Sequence, residues 1–182
     1  MIRILFLDTS ALLSFFVSDQ GTPTMRWLMS SDNKAHGSTR YVINNQVIKE
    51  FETELESLVT QGEIKQTTAD NILTLFNTHY KKHKFKVTGK DASIQATMDG
   101  MYNFLGGISR PILVTSNKEQ TTKMREYSAI DPQNMSSAEI TLTLQNRKIP
   151  KEINTCKKTS AKTDSLLEKL KFTSLYARCY QL

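Results

Sequence analysis

Cysteine is nearly absent from this chain: Cys156 and Cys179 are its only two thiols in 182 residues. So few cysteines build neither a disulfide framework nor a paired CxxC metal knuckle, and they fit a reducing interior, read here as cytoplasmic. Glycine (7) and proline (4) are also scarce, which excludes collagen-like and low-complexity architectures. No apolar run approaches the roughly 20 residues that a membrane span needs, so no membrane association is expected. The N-terminal stretch MIRILFLDTSALLSFFVSD is apolar, but Asp8 stands in its middle and no small-residue cleavage site follows. It therefore reads as core, not as a signal peptide.

What is present is an ordinary globular composition, 38% hydrophobic and 23% charged, enough for one buried core. The formal charge of +6 is unevenly placed. Residues 1–146 hold 15 basic and 15 acidic residues, whereas residues 147–182 hold 9 and 3. The chain thus divides into a neutral domain, 1–146, and a basic, partly helical extension, 147–182. Lysines in the extension could bind RNA phosphate; the stripe of Leu166, Leu167 and Leu170 could dock on the domain or a partner; or the charge could serve solubility alone.

Within the domain, Ile2–Leu7 reads as a buried strand running straight into a helix capped by Asp-Thr-Ser. Pro23 suits the first turn of a second helix. Tyr41–Ile43 forms a strand, and Asn44 or Asn45 caps a long helix carrying Val47, Ile48, Phe51 and Leu55 at helical spacing. Gln61-Gly62 closes it, and Thr67 or Thr68 opens another helix. Lys81–Lys90 reads as a basic connector, and Asp91 as the start of a helix that Gly106-Gly107 stop. Pro111–Thr115 is a third strand, Met124–Tyr127 a short helix, Ala129-Ile130 a fourth strand, and Ser136 or Ser137 caps a last helix. Strands separated by helices predict an α/β fold, a three-layer α/β/α sandwich around a mostly parallel sheet.

In open parallel sheets, ligands bind beyond the carboxyl ends of the strands. Asp8 follows the first strand, Glu50 lies in the helix after the second, Asp91 heads its own helix, and Asn117 and Glu119 follow the strand at 111–115. If these ends converge, carboxylate and amide oxygens face one hollow. That is the ligand set of Mg²⁺ or Mn²⁺, and without a cation the crowding would cost repulsion and desolvation.

These residues resemble the motifs of PIN-domain nucleases, the family of the VapC-like ribonucleases and other RNA-processing enzymes. LFLDTSALL (5–13) is similar to the opening strand with its first acid, Asp8. VIKEF (47–51) is similar to the second motif, with Glu50. DASIQATM (91–98) is similar to the third, with Asp91, and PILVTSNKE (111–119) to a fourth strand ending in Thr-x-Asp-x-Asp, matched by Thr115, Asn117 and Glu119. The resemblance covers about residues 2–146. It implies divalent-metal-dependent hydrolysis of RNA, with Asp8 and Asp91 as Mg²⁺ or Mn²⁺ ligands and Glu50 as a ligand or water orienter. Asn117 and Glu119 would sit outside them or on a second ion, while Thr9, Ser10, Thr115 and Ser116 orient the carboxylates. It also implies RNA and an antitoxin protein as partners and a homodimer. Asn117 departs from the pattern, since an amide brings no negative charge, and this raises a second reading, a catalytically weak PIN-like module that binds RNA or protein.

Blander roles compete at each position. Asp8 could simply cap its helix, Glu50 could belong to a solvated face with Glu52, Glu54 and Glu56, and Asp91 could complement a helix dipole. His79 and His83 have the spacing of a metal pair, but five lysines in 81–90 make a solvated basic face the better reading. Trp27, Phe15 and Phe16 could stack bases, though such residues more commonly fill cores. A haloacid-dehalogenase-like phosphatase, suggested by LFLDTS and LVTSN, would want a second Asp where Ser10 stands.

Overall fold

The computed structural model describes residues 3–30, 39–88, 92–105 and 110–145. Asp91 and the extension 147–182 lie outside the described residues, as do His36 and the Gly106-Gly107 stop.

The apolar N-terminal run forms strand β1 (Arg3–Leu7), buried at its last three residues. Asp8 ends it with extended backbone and takes the Thr9 N–H at 2.7 Å, which starts helix α1 (Thr9–Phe16). Helix α2 (Thr22–Met29) carries Pro23 in its first turn, where a missing N–H costs nothing. Strand β2 (Thr39–Asn44) ends on Asn44, the cap of α3 (Asn45–Thr60); its Oδ1 accepts the Val47 N–H at 2.9 Å. Beyond α3, Gly62 reverses the chain at φ 76°, a left-handed conformation that glycine adopts without a side-chain clash.

Helix α4 (Gln66–Leu75) runs on through a π-helical turn, Phe76–Tyr80, into the single turn α5 (Lys81–His83). Strand β3 (Phe85–Thr88) follows, then α6 (Ile94–Phe104), β4 (Ile112–Val114), α7 (Lys118–Lys123), β5 (Ala129–Ile130) and α8 (Ser137–Gln145).

The five strands form one sheet in the order β3-β2-β1-β4-β5, every pair parallel. The architecture is the predicted α/β class, a three-layer α/β/α sandwich. From β1 the chain steps outward through β2 to β3, then crosses back to β4 and β5 on the other side of β1. Right-handed crossovers therefore put α1 to α5 on one face and α6 and α7 on the other. The direction of winding reverses between β1 and β4, so the connections that follow these two neighbours part to opposite faces and leave a crevice beyond the strands' carboxyl ends.

The core lies on both faces of β1. Leu5, Phe6, Leu7, Ile43 and Leu113 are fully buried, and Phe16, Phe51, Phe76 and Phe85 meet ring to ring at 5.1–6.1 Å. Phe15 and Phe16 are spent on this packing, with Tyr80 edge-on to both. Truncating an enclosed ring such as Phe51 to alanine would cost about 3–5 kcal/mol.

Three local expectations are corrected. Lys81–Lys90 is not a plain connector: Lys84 and Lys86 are exposed while Phe85 is buried, and this alternation makes the edge strand β3, paired with β2 from Tyr41 opposite Phe85 to Asn44 opposite Thr88. Lysines on an edge also discourage pairing with another chain. Helix α6 begins at Ile94, not at Asp91, because the Ser93 hydroxyl takes the Ala96 N–H at 3.2 Å. The short helix after β4 spans Lys118–Lys123 instead of 124–127, because Asn117 caps it and leaves the buried Met124 and Tyr127 to the turn beyond.

Candidate functional site

The carboxyl ends of β1 and β4 bring together six of the predicted residues: Asp8, Thr9, Ser10, Glu50, Thr115 and Ser116. Parallel pairing sets Leu7 beside Val114, and the Asp8 N–H donates to the Val114 carbonyl at 3.0 Å, so Asp8 and Thr115 leave the sheet side by side. The Thr115 hydroxyl donates to Asp8 Oδ2 at 2.6 Å.

Counting donors orders the surrounding hydroxyls. The Thr115 proton is committed to Asp8, so the one proton of the Ser10 hydroxyl is shared between Thr115 Oγ1 at 3.2 Å and Asp8 Oδ2 itself at 3.5 Å. Ser10 Oγ in turn accepts the Ser116 N–H at 2.9 Å, and Thr115 Oγ1 accepts the Asn117 N–H at 3.0 Å. Two backbone amides and two hydroxyls thus form a chain of donors ending on one carboxylate oxygen, each bond polarising the next. Ser116 contributes its backbone; its own hydroxyl, buried at the same end, has no partner among the described residues.

Asp8 caps α1, as its bland reading held, and does more. It is 4% exposed, and burial, the largest influence, raises its pKa above the ordinary 3.8. The hydrogen bonds from Thr115, Thr9 and Ser10 pull the other way, and the negative charge of Glu50 pushes it up further. No cation among the described residues figures in that balance. Glu50 reaches the site from the second turn of α3, where the Thr9 hydroxyl donates to its Oε2 at 2.7 Å. Thr9 therefore holds both acids, Asp8 by its N–H and Glu50 by its hydroxyl. On the far side of Glu50, Gln46 Nε2 donates to Oε1 at 2.7 Å.

Gln46 is the residue that sequence reasoning missed. Its position four residues before Glu50 puts the two side chains on one helix face, the usual i, i+4 pairing, and that spacing was the available signal. Asn44, fully buried, is more than the cap that the sequence predicts. Its Nδ2 also donates to the Ala92 carbonyl at 2.8 Å and to Thr97 Oγ1 at 3.0 Å, tying the residue that follows Asp91 in sequence to the end of β2.

Two predicted residues are used elsewhere. The Asn117 side-chain oxygen accepts the Glu119 and Gln120 N–H groups at 2.9 and 3.3 Å, capping α7. Glu119 points outward and pairs with Lys123 one turn on, at 2.7 Å, and that bond and charge hold its carboxyl below the ordinary range. His79 and His83, 5.8 Å apart between ring centroids, are both exposed. Among the described residues, no group of three His, Cys, Asp or Glu could hold a metal ion; Asp91, the third expected ligand, lies outside them. Asp8 and Glu50 supply two hard oxygen donors, held together with no compensating cation among the described residues, which suits Mg²⁺ or Mn²⁺ in kind.

No helix among the described residues is long and apolar enough to cross a membrane. Compared with known proteins, the chain matches no protein-family model and no curated protein.

Proposed function

We propose that this chain is a divalent-metal-dependent ribonuclease of the PIN type, hydrolysing phosphodiester bonds of RNA. The observation that carries the reading is the pair of acids at the β1/β4 crevice: a buried Asp8 and a Glu50 held beside it by one threonine, two like charges drawn together by built-in donors. Stability alone gives no reason for that arrangement, because crowding carboxylates raises the cost of ionising them.

Asp8 and Glu50, with Asp91 as the third ligand, would hold Mg²⁺ or Mn²⁺. When bound, the ion supplies Lewis-acid neutralisation of the phosphate and lowers the pKa of a water. The chain's own residues do the rest. Thr115 fixes one oxygen of Asp8 and Thr9 the other, so the carboxylate cannot rotate. Thr9 also fixes its separation from Glu50. By the same resemblance the proposal extends to a cytoplasmic toxin with an antitoxin partner and a homodimeric state.

The test is cleavage of a single-stranded RNA by the full chain with Mn²⁺ or Mg²⁺, comparing wild type with Asp8→Asn and Asp91→Asn. Wild type is expected to cleave and both variants to lose more than the roughly 10–100-fold that a supporting partner of a metal ligand is worth. Equal, near-background activity in all three overturns the reading.

A second reading has its own observation. Asn117 is committed to capping α7 and Glu119 to Lys123, which leaves the β4 side of the crevice without a carboxylate among the described residues. This favours a PIN-like module that binds RNA with little or no cleavage; RNA binding without turnover in the same assay would select it.

A further inference from the structure

Glu50 has a long side chain on a helix that also carries Glu52, Glu54 and Glu56. Left alone it would turn toward water and away from the negative Asp8, since both burial and like charge oppose its approach. It is instead held at both ends: Oε2 accepts from the Thr9 hydroxyl and Oε1 from the Gln46 amide, each at 2.7 Å. Glu52, Glu54 and Glu56 have no such donors among the contacts of the described residues, and Glu54 and Glu56 are exposed.

We infer that Gln46 is a positioning residue for Glu50, holding its carboxylate at the β1/β4 crevice so that the acid pair is ready to take a divalent cation. The inference rests on the proposed metal site and adds to it a residue outside the motifs. Two features set Gln46 apart from an ordinary surface pair on a helix. Thr9 already anchors the opposite oxygen, so the amide removes the last freedom of the group instead of adding a lone contact. Its partner also lies close enough to Asp8 for the two negative charges to act on each other, so the amide fixes a carboxylate at a place that charge alone does not favour. Each Glu50 oxygen takes a single donor from these two residues and keeps a further lone pair for a ligand. An amide donor suits the task because it carries no charge that would compete with the cation.

The experiment uses the full chain and Mn²⁺ as probe, with binding read by electron paramagnetic resonance and folding by thermal melting in EDTA. Gln46→Met keeps length and shape but removes the donor. It is expected to weaken Mn²⁺ binding about 10-fold, within the range for loss of a partner of a metal ligand, with the melting temperature unchanged. Mn²⁺ binding equal to wild type overturns the inference, and so does weakened binding accompanied by a matching loss of melting temperature, which marks a structural role. A double-mutant cycle with Glu50→Gln separates the two further: if Gln46 acts through Glu50, adding Gln46→Met to Glu50→Gln changes Mn²⁺ affinity no more, whereas additive losses refute it. If wild type itself binds no Mn²⁺ and cleaves no RNA, the metal-site reading falls and this inference falls with it. If wild type binds Mn²⁺ and Gln46→Met is indifferent, only the inference falls.

Discussion

The ends of β1 and β4 are built alike and used differently. Each strand is followed by a polar residue whose side-chain oxygen caps the next helix, Asp8 directly after β1 for α1 and Asn117 three residues after β4 for α7. Asp8 spends one oxygen on the cap and keeps the other for Thr115, is buried, and has a second acid held beside it. Asn117 spends its one acceptor oxygen on two backbone N–H groups, and the acid that follows it lies in solvent against Lys123. A cap and a candidate ligand are thus not alternatives. What separates them is the second oxygen, its burial and the company it is made to keep.

The largest effect expected from disturbing this contrast belongs to Asp8→Asn, and it runs in two directions. Activity on RNA should be lost, while the metal-free protein becomes more stable. A carboxyl whose pKa is raised by folding contributes stability that is fully present below its ordinary value of 3.8 and is lost as pH rises through the folded value. In EDTA the variant should therefore melt above wild type at neutral pH, and the gap should close as pH falls toward 3.8. A variant that melts below wild type at pH 7 would mean that the buried charge is better compensated than its neighbours indicate.

Next in size is Thr115→Val, which keeps the shape but leaves Asp8 Oδ2 without its closest donor and the Asn117 N–H without its acceptor. Urea unfolding should register a loss of about 1–3 kcal/mol. Asn117→Ala removes only a cap and should cost roughly 0.5–2 kcal/mol, with Asn117→Asp restoring most of it and Mn²⁺ affinity unmoved by the alanine change. Glu119→Gln comes last: an exposed pair on a short helix should leave melting temperature and RNA cleavage where they were, and a clear drop in cleavage would return Glu119 to the site.

Much of the fold was legible because its signals are local. The apolar run closed by Asp8, the Asn44 cap and the run at Ile112–Val114 each declare themselves within a few residues. Strand β3 did not, because its lysines outvote its alternation in any count of composition, and its pairing with β2 is a long-range fact. The position of α7 was missed because the buried Met124 and Tyr127 look like a helix stripe, though they fill the turn after it. At the site, the acids were legible by type and order, but their couplings were not. Thr9 to Glu50 spans 41 positions and Thr115 to Asp8 spans 107, distances over which no spacing rule operates.

That span of 107 positions has a consequence for how the protein comes into being. Synthesis delivers Asp8 long before Thr115, and domains fold as their parts emerge. Through that interval β1 can pair with β2, but its other edge waits for β4. The hydroxyl that steadies Asp8 arrives on the same segment that covers that edge, so a nascent chain closes its sheet and completes its acid cluster in one event. Any truncation before residue 115 yields a chain with an open strand edge and a buried-type aspartate still in water, a form prone to association and without a formed site.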